Sequence, residues 1–288
     1  MQIRSLLFLL LIISSCQKDF YISIPDEADK PVVNLLMNKD SVMMARVTLS
    51  ARMKGNWEMK EIKNAVVNLY ENGQLKETLT PVEYRTLTYY RGNTLPKAGA
   101  TYRVTAAVPG YAEASGADQI PDTVKTGELK MTVSHINSWQ TKATISVELH
   151  DDPAVQNYYR IRLYRITDFI DASGNPRQIK LQEYFETDNA NLPLLEEDYH
   201  SDFFTTDALF NGRSPKFILR LTADDGLKKM GVEITSLTSH SYNYLNSAYL
   251  ARKKNDDGLS EKVIVYNNVI NGLGIIGGVA QREYLLER

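Results

Sequence analysis

Apolar and polar residues alternate with period two over most of this chain, the pattern of half-buried strands. Val47 and Leu49 alternate with polar neighbours. Ala65-Val66-Val67-Asn68-Leu69-Tyr70 runs into Glu71-Asn72-Gly73-Gln74. Asn-Gly predicts a two-residue hairpin there, because both turn positions need positive φ. Tyr102, Val104, Ala106 and Val108 share one face, and Pro109-Gly110 stops the strand.

The pattern continues beyond Ile120-Pro121-Asp122, which reads as a boundary. Ile145, Val147 and Leu149 face one way; Tyr159, Ile161 and Leu163 alternate with Arg160, Arg162 and Tyr164. Ser173-Gly174-Asn175-Pro176 is a turn that returns the chain, and Phe217, Leu219, Leu221, Val232 and Ile234 repeat the alternation. Leu192 to Thr206 reads as an irregular acidic loop. One helix is predicted near 238–256: Thr238 or Ser239 caps it, Tyr242, Leu245 and Tyr249 form an apolar stripe, and Gly258 ends it. Arg252-Lys253-Lys254 complements the dipole at its C-terminus. Val263-Ile264-Val265-Tyr266 reads as a buried strand. The fold class is therefore mainly β. Residues 31–122 read as an immunoglobulin-like or transthyretin-like β-sandwich, and residues 123–288 as a second β-rich domain with one amphipathic helix.

The N-terminus sets the compartment. Leu6 to Ile13 is an unbroken apolar run of eight residues behind Arg4, too short for a spanning helix, which needs about 20. It reads as the core of a signal peptide over residues 1–15. The run ends in Ile13-Ser14-Ser15-Cys16, which resembles the bacterial lipobox: small residues flank the scissile bond and the thiol takes the lipid. Cys16 is the single cysteine and the candidate lipid-attachment residue, so no disulfide is expected. Residues 16–30 read as a tether that reaches some tens of ångströms at about 3.3–3.6 Å per residue. Gln17-Lys18-Asp19 resembles the export signal of surface lipoproteins of the Bacteroidota type, with Phe20 where a second acid is usual.

Composition narrows the chemistry. Thirty-three basic against 35 acidic residues leave a net charge of −2, with no basic excess to neutralise a phosphate backbone, which argues against nucleic acid. Gly272-Leu273-Gly274-Ile275-Ile276-Gly277 matches G-x-G-x-x-G. Too little chain follows it for the helix and acidic residue of a dinucleotide site, so the glycines read as structural. His135, His150, His200 and His240 show no metal-ligand spacing. The Glu196-Glu197-Asp198 run reads as a solvated loop, and Asp224-Asp225-Gly226 and Asp256-Asp257-Gly258 as turns. No nucleophile elbow or P-loop is present, and neither a cofactor nor a metal is expected. Of the tyrosine groups Tyr89-Tyr90, Tyr158-Tyr159 and Tyr242-x-Tyr244, alternate members are expected in the core, and outward members are candidates for a binding face.

Several strings together resemble the domain of unknown function 4249 family of outer-membrane lipoproteins. They are the lipobox, Ala65 to Tyr70 with Asn72-Gly73, Gly99-Ala100-Thr101-Tyr102-Arg103-Val104, Asn157-Tyr158-Tyr159-Arg160, Tyr242-x-Tyr244-Leu245 and Asn267 to Gly278. The resemblance implies a lipid-anchored accessory of a TonB-dependent outer-membrane transporter that helps capture or present a nutrient. Only Cys16 carries a role over. Two other classes remain open: a surface hydrolase acting on peptide or glycan, which needs a histidine beside a carboxylate or serine in a cleft, and an adhesin-like module.

Overall fold

A computed structural model describes residues 28–51, 59–187, 199–224, 226–254 and 261–288. The leader, Cys16, Gln17-Lys18-Asp19, Glu196-Glu197-Asp198, Asp225 and the Asp256-Asp257-Gly258 turn lie outside the described residues. Within them the chain is mainly β, with two sheets and one α-helix.

The first half supplies β1 (Pro31–Asn38), β2 (Met44–Leu49), β3 (Lys60–Glu61), β4 (Val66–Glu71), β5 (Gln74–Tyr84), β6 (Leu87–Arg91), β7 (Thr101–Ala107) and β8 (Ala114–Gln119). Asn72 and Gly73 take φ of +50° and +84° and join β4 to β5 in the two-residue hairpin their types predict. Inward-facing Val33, Leu35, Val47, Leu69, Tyr102 and Val104 belong to one apolar core. Each such side chain contributes roughly 1.5–3 kcal/mol by leaving water. Tyr90 lies wholly inside this core, its hydroxyl donating to Ile62 O at 2.8 Å and accepting from Ala65 N at 2.9 Å. That pairing lets a polar atom stay buried without penalty.

The second half supplies β9 (Lys125–His135), β10 (Gln140–His150), β11 (Tyr158–Ile170), β12 (Pro176–Glu183), β13 (Glu186–Thr187), β14 (Phe203–Thr206), β15 (Lys216–Asp224), β16 (Lys229–Leu237), the helix α1 (Ser239–Lys254) and β17 (Leu273–Glu287). Strands β13, β15, β10 and β9 form a four-stranded sheet. Its apolar face packs on β11 and β16 through Ile145, Val147, Phe217, Leu219, Ile161 and Val232, a second core. Thr238 caps α1: its hydroxyl accepts from Ser241 N at 3.2 Å.

All remaining strands join one thirteen-stranded sheet, whose path runs β12-β11-β16-β17-β1-β2-β6-β5-β4-β7-β8. The first core is thus walled by strands that share one hydrogen-bonded path with strands of the second half. The link is β17. It pairs parallel with β1 from Val32↔Leu273 to Asn38↔Val279, then antiparallel with β16 from Leu237↔Val279 to Lys229↔Glu287. Beyond β16, β11 and β12 continue as a projecting arm exposed on both faces up to the turn at Gly174.

Two segments depart from the sequence reading. Val263 to Tyr266 is no strand: Ile264 is 88% exposed, and Tyr266 N is held by the Ser247 hydroxyl at 2.9 Å. The run found a helix instead of a strand edge, and a short apolar run carries no information about its partner. Phe203 to Thr206, the end of the supposed loop, is β14, paired antiparallel with β11.

Candidate functional site

The glycine-rich string closes the seam between the two cores. Gly274 has φ +111°, and a Cβ there would lie 2.3 Å from Val33 O. A Cβ on Gly278 would lie 1.8 Å from Gln119 O. The carboxylate of Asp118, 8% exposed, accepts from Gly278 N at 2.9 Å, from Gln119 N at 2.9 Å and from the Thr238 hydroxyl. Burial pushes its pKa up, against the pull of these hydrogen bonds. Asn268 brackets Ile276, its Nδ2 donating to Ile276 O at 2.8 Å and its Oδ1 accepting from Ile276 N at 3.0 Å. This string is a packing device with no room for a ligand.

A second polar cluster lies on the sheet face away from the second core. Glu233, 2% exposed, accepts from Arg160 Nη2 at 3.1 Å, from Arg162 Nη2 at 2.6 and 2.7 Å, from Thr235 Oγ1 at 3.2 Å and from Tyr164 OH at 3.4 Å. Burial lowers the pKa of Arg160. Burial, then the Glu233 charge, pushes Tyr164 up to about 12. A carboxylate has about four lone-pair positions, and these donors fill them. Glu233 is therefore a structural node with no free site for a substrate proton.

His135 ends β9, His150 ends β10 and His240 lies in α1, whereas His200 lies outside the named strands and helix. His150 Nδ1 meets Ser214 Oγ at 2.8 Å on the exposed surface, His240 Nδ1 meets Tyr266 OH at 2.6 Å, and His135 Nε2 lies 3.1 Å from Arg288 Nη2. His200 packs its ring between Phe185 and Phe203. Among the described residues no group of histidine, cysteine and acidic side chains has metal-binding geometry. The tyrosines divide by burial. Tyr90 and Tyr159 are interior, with the Tyr159 hydroxyl donating to Asp151 Oδ1 at 2.6 Å. Tyr158 and Tyr242 pack on each other at 5.0 Å between β11 and α1. The latter pair docks the helix and forms no open face.

What the alternation left unmarked is an open cleft at the far end of the second half. Trp139, in the β9–β10 turn, is 80% exposed. Asn137 Oδ1 accepts from Trp139 N and Gln140 N, each at 2.9 Å, and fixes the turn that presents the indole. Beside it a cavity of 410 Å³ is lined by Trp139, Gln140, Arg165, Glu183, Thr222 and Asp224. Arg165 Nη1 donates to Asp224 Oδ2 at 2.8 Å. Its Nε lies 2.8 Å from Glu183 Oε1, a charge contact that leaves the Nε–H without a hydrogen bond. Two carboxylates around one guanidinium leave the cleft with one net negative charge. On the arm, Leu181 pairs with Arg165 and Ile179 with Thr167, so Leu181, Ile179 and Phe169 share the Arg165 face. All three are exposed. A second cavity, of 440 Å³, lies at the arm tip among Asp168, Phe169, Ile170, Pro176 and Arg177. No histidine lines either cavity. The one sequence signal was a tryptophan in a turn, where composition favours small polar residues.

Two packed sheets, a glycine-closed seam and an open cleft at the Trp139 turn define a mainly β protein. The chain belongs to the family described as domain of unknown function DUF4249, whose sequence model matches residues 17–284. No curated protein matches the chain.

Proposed function

We propose that this protein is a lipid-anchored, non-enzymatic accessory of a TonB-dependent outer-membrane transporter, held at the membrane through Cys16 and presenting its ligand cleft outward. The observation that carries the reading is the polarity of the fold along β17. The tether enters at Pro31, beside the start of β17 at Leu273. The Trp139 turn and the arm stand at its other end: Arg288 touches His135 at the end of β9, and Glu287 lies opposite Lys229, the partner of Ile166. At about 3.3 Å per residue, β17 separates the two ends by up to roughly 45 Å. A cleft and an exposed apolar arm at that distance from the tether's entry at Pro31 suit a partner or ligand met away from the lipid surface. The family membership and the lipobox string support the anchor. The hydrolase alternative draws no support from the cavities, because neither brings a histidine to a carboxylate or serine. The test is affinity capture of the full-length lipidated chain from gently solubilised outer membranes, with partners identified by mass spectrometry. A stoichiometric TonB-dependent transporter is expected. Recovery of the lipoprotein alone overturns the reading.

A further inference from the structure

We infer that the Trp139 cleft binds a saccharide, one sugar ring lying on the indole and its hydroxyls reaching Asp224, Glu183 and Arg165. This rests on the cleft being the capture site proposed above, and it names the ligand class. The argument is one of chemical fit. Trp139 leaves the largest apolar side-chain face of any residue type in water, on a turn whose geometry Asn137 fixes, and none of its contacts there requires an indole. A ligand must therefore offer one flat apolar face. The cavity of 410 Å³ lies within the range of about 300–1,000 Å³ typical of small-molecule sites. Beyond the indole and the Ala223 methyl, its lining side chains carry a carboxamide, a hydroxyl, a guanidinium and two carboxylates.

Other ligands fit less well. An apolar side chain or a lipid tail would cover the indole and Ala223, yet would take water from Gln140, Arg165, Glu183 and Asp224 without replacing its hydrogen bonds. A nucleotide would stack, yet its phosphates would meet a guanidinium already flanked by Glu183 and Asp224. A quaternary ammonium calls for an aromatic cage, and one ring lines the cavity. A pyranose ring has what the cleft asks for: a C–H face for the indole and a rim of hydroxyls. Those hydroxyls can donate to the carboxylate oxygens that Arg165 leaves open and accept from the guanidinium. The Arg165 pairs hold both carboxylates in place before the ligand arrives, so little ordering is left to binding. The exposed arm residues Leu181 and Ile179 continue the surface past one ring and would follow an oligosaccharide rather than a monosaccharide.

The experiment presents the full-length protein in detergent to maltohexaose, cellohexaose, chitohexaose and oligogalacturonate, and follows any retained glycan by isothermal titration. One of these glycans is expected to bind. Trp139→Ala should weaken that binding by about tenfold or more, while Trp139→Tyr, which keeps a ring, should stay within about fivefold. Asp224→Asn should weaken it with an unchanged melting temperature, since Asp224 is largely exposed. Absence of binding to all four, or binding equal in Trp139→Ala, overturns the inference. Membrane capture repeated with Trp139→Ala separates the two readings. Loss of the transporter with this variant, in a protein that binds none of the four glycans, makes Trp139 a protein-docking anchor and defeats the saccharide site while the accessory role stands. Trp139-dependent glycan binding with no transporter recovered keeps the saccharide site and removes the accessory role.

Discussion

The two ends of β17 pose opposite physical problems. At the Leu273 end the backbone of three strands and a helix meets so closely that glycine is required: Gly274 sits against Val33, and Gly278 against Gln119. The polar atoms there are paired, Asp118 serving strand and helix cap together. At the Glu287 end the same sheet opens into an arm with exposed Phe169, Ile179 and Leu181, beside a turn that holds a tryptophan in water. The first region has no slack and no opening, whereas the second keeps surface that the fold itself does not need. Substitutions at the seam are therefore expected to cost stability, and substitutions at the Trp139 turn to leave it nearly unchanged.

The largest expected loss comes from Glu233→Ala in β16, which takes the hydrogen-bonded carboxylate from Arg160 and Arg162 and leaves them only Asp202, 4.0 Å from each, as a shared counter-charge. Breaking such a cluster costs about 3–5 kcal/mol, read as a drop in the urea midpoint. Gly278→Ala follows: its methyl would demand that β8 move away, costing about 3 kcal/mol by the same measurement. Asp118→Ala takes the side-chain acceptor from Gly278 N–H and Gln119 N–H and leaves the Thr238 hydroxyl only the longer bond to Gly278 O, a cost of about 1–3 kcal/mol. At the tip, Trp139→Ala should change stability by no more than about 0.5 kcal/mol in either direction. A Trp139→Ala variant that melts far below the parent would erase the contrast between the ends.

Asp118 also gives the seam a pH signature. Its folded pKa is raised by burial, so between the ordinary carboxylate value and that raised value the native state binds more protons than the unfolded chain. Its contribution therefore favours folding at the acid side and fades as pH rises through the folded pKa. Melting curves of the parent and Asp118→Asn, compared upward from pH 4, should differ in slope in that direction. A parent curve that rises relative to the variant over this window would show that the hydrogen bonds outweigh burial.

The local features were legible because their causes are local. Asn72-Gly73 needs positive φ wherever it stands, the Ser173-Gly174 turn returns β11 to β12, and Thr238 caps α1 through its own third neighbour. The glycines after Asn271 meet Val33 and Gln119, backbone far away in sequence that their own neighbourhood does not announce. Val263 to Tyr266 was misread because four apolar residues in a row fit an exposed segment beside a helix as well as a strand. Trp139 carried no pattern, since a lone aromatic in a turn has no period.

By itself, then, the sequence determined the mainly β character, the hairpins and the helix, since side-chain alternation and turn stereochemistry act over a few residues. Tertiary structure alone decided that the first and last described strands lie side by side, and that two cores share one sheet. It also decided that Trp139, Arg165, Glu183 and Asp224 meet around one cleft. Parallel pairing across more than two hundred residues depends on which surfaces remain uncovered once everything else has packed. No residue writes that in its own neighbourhood.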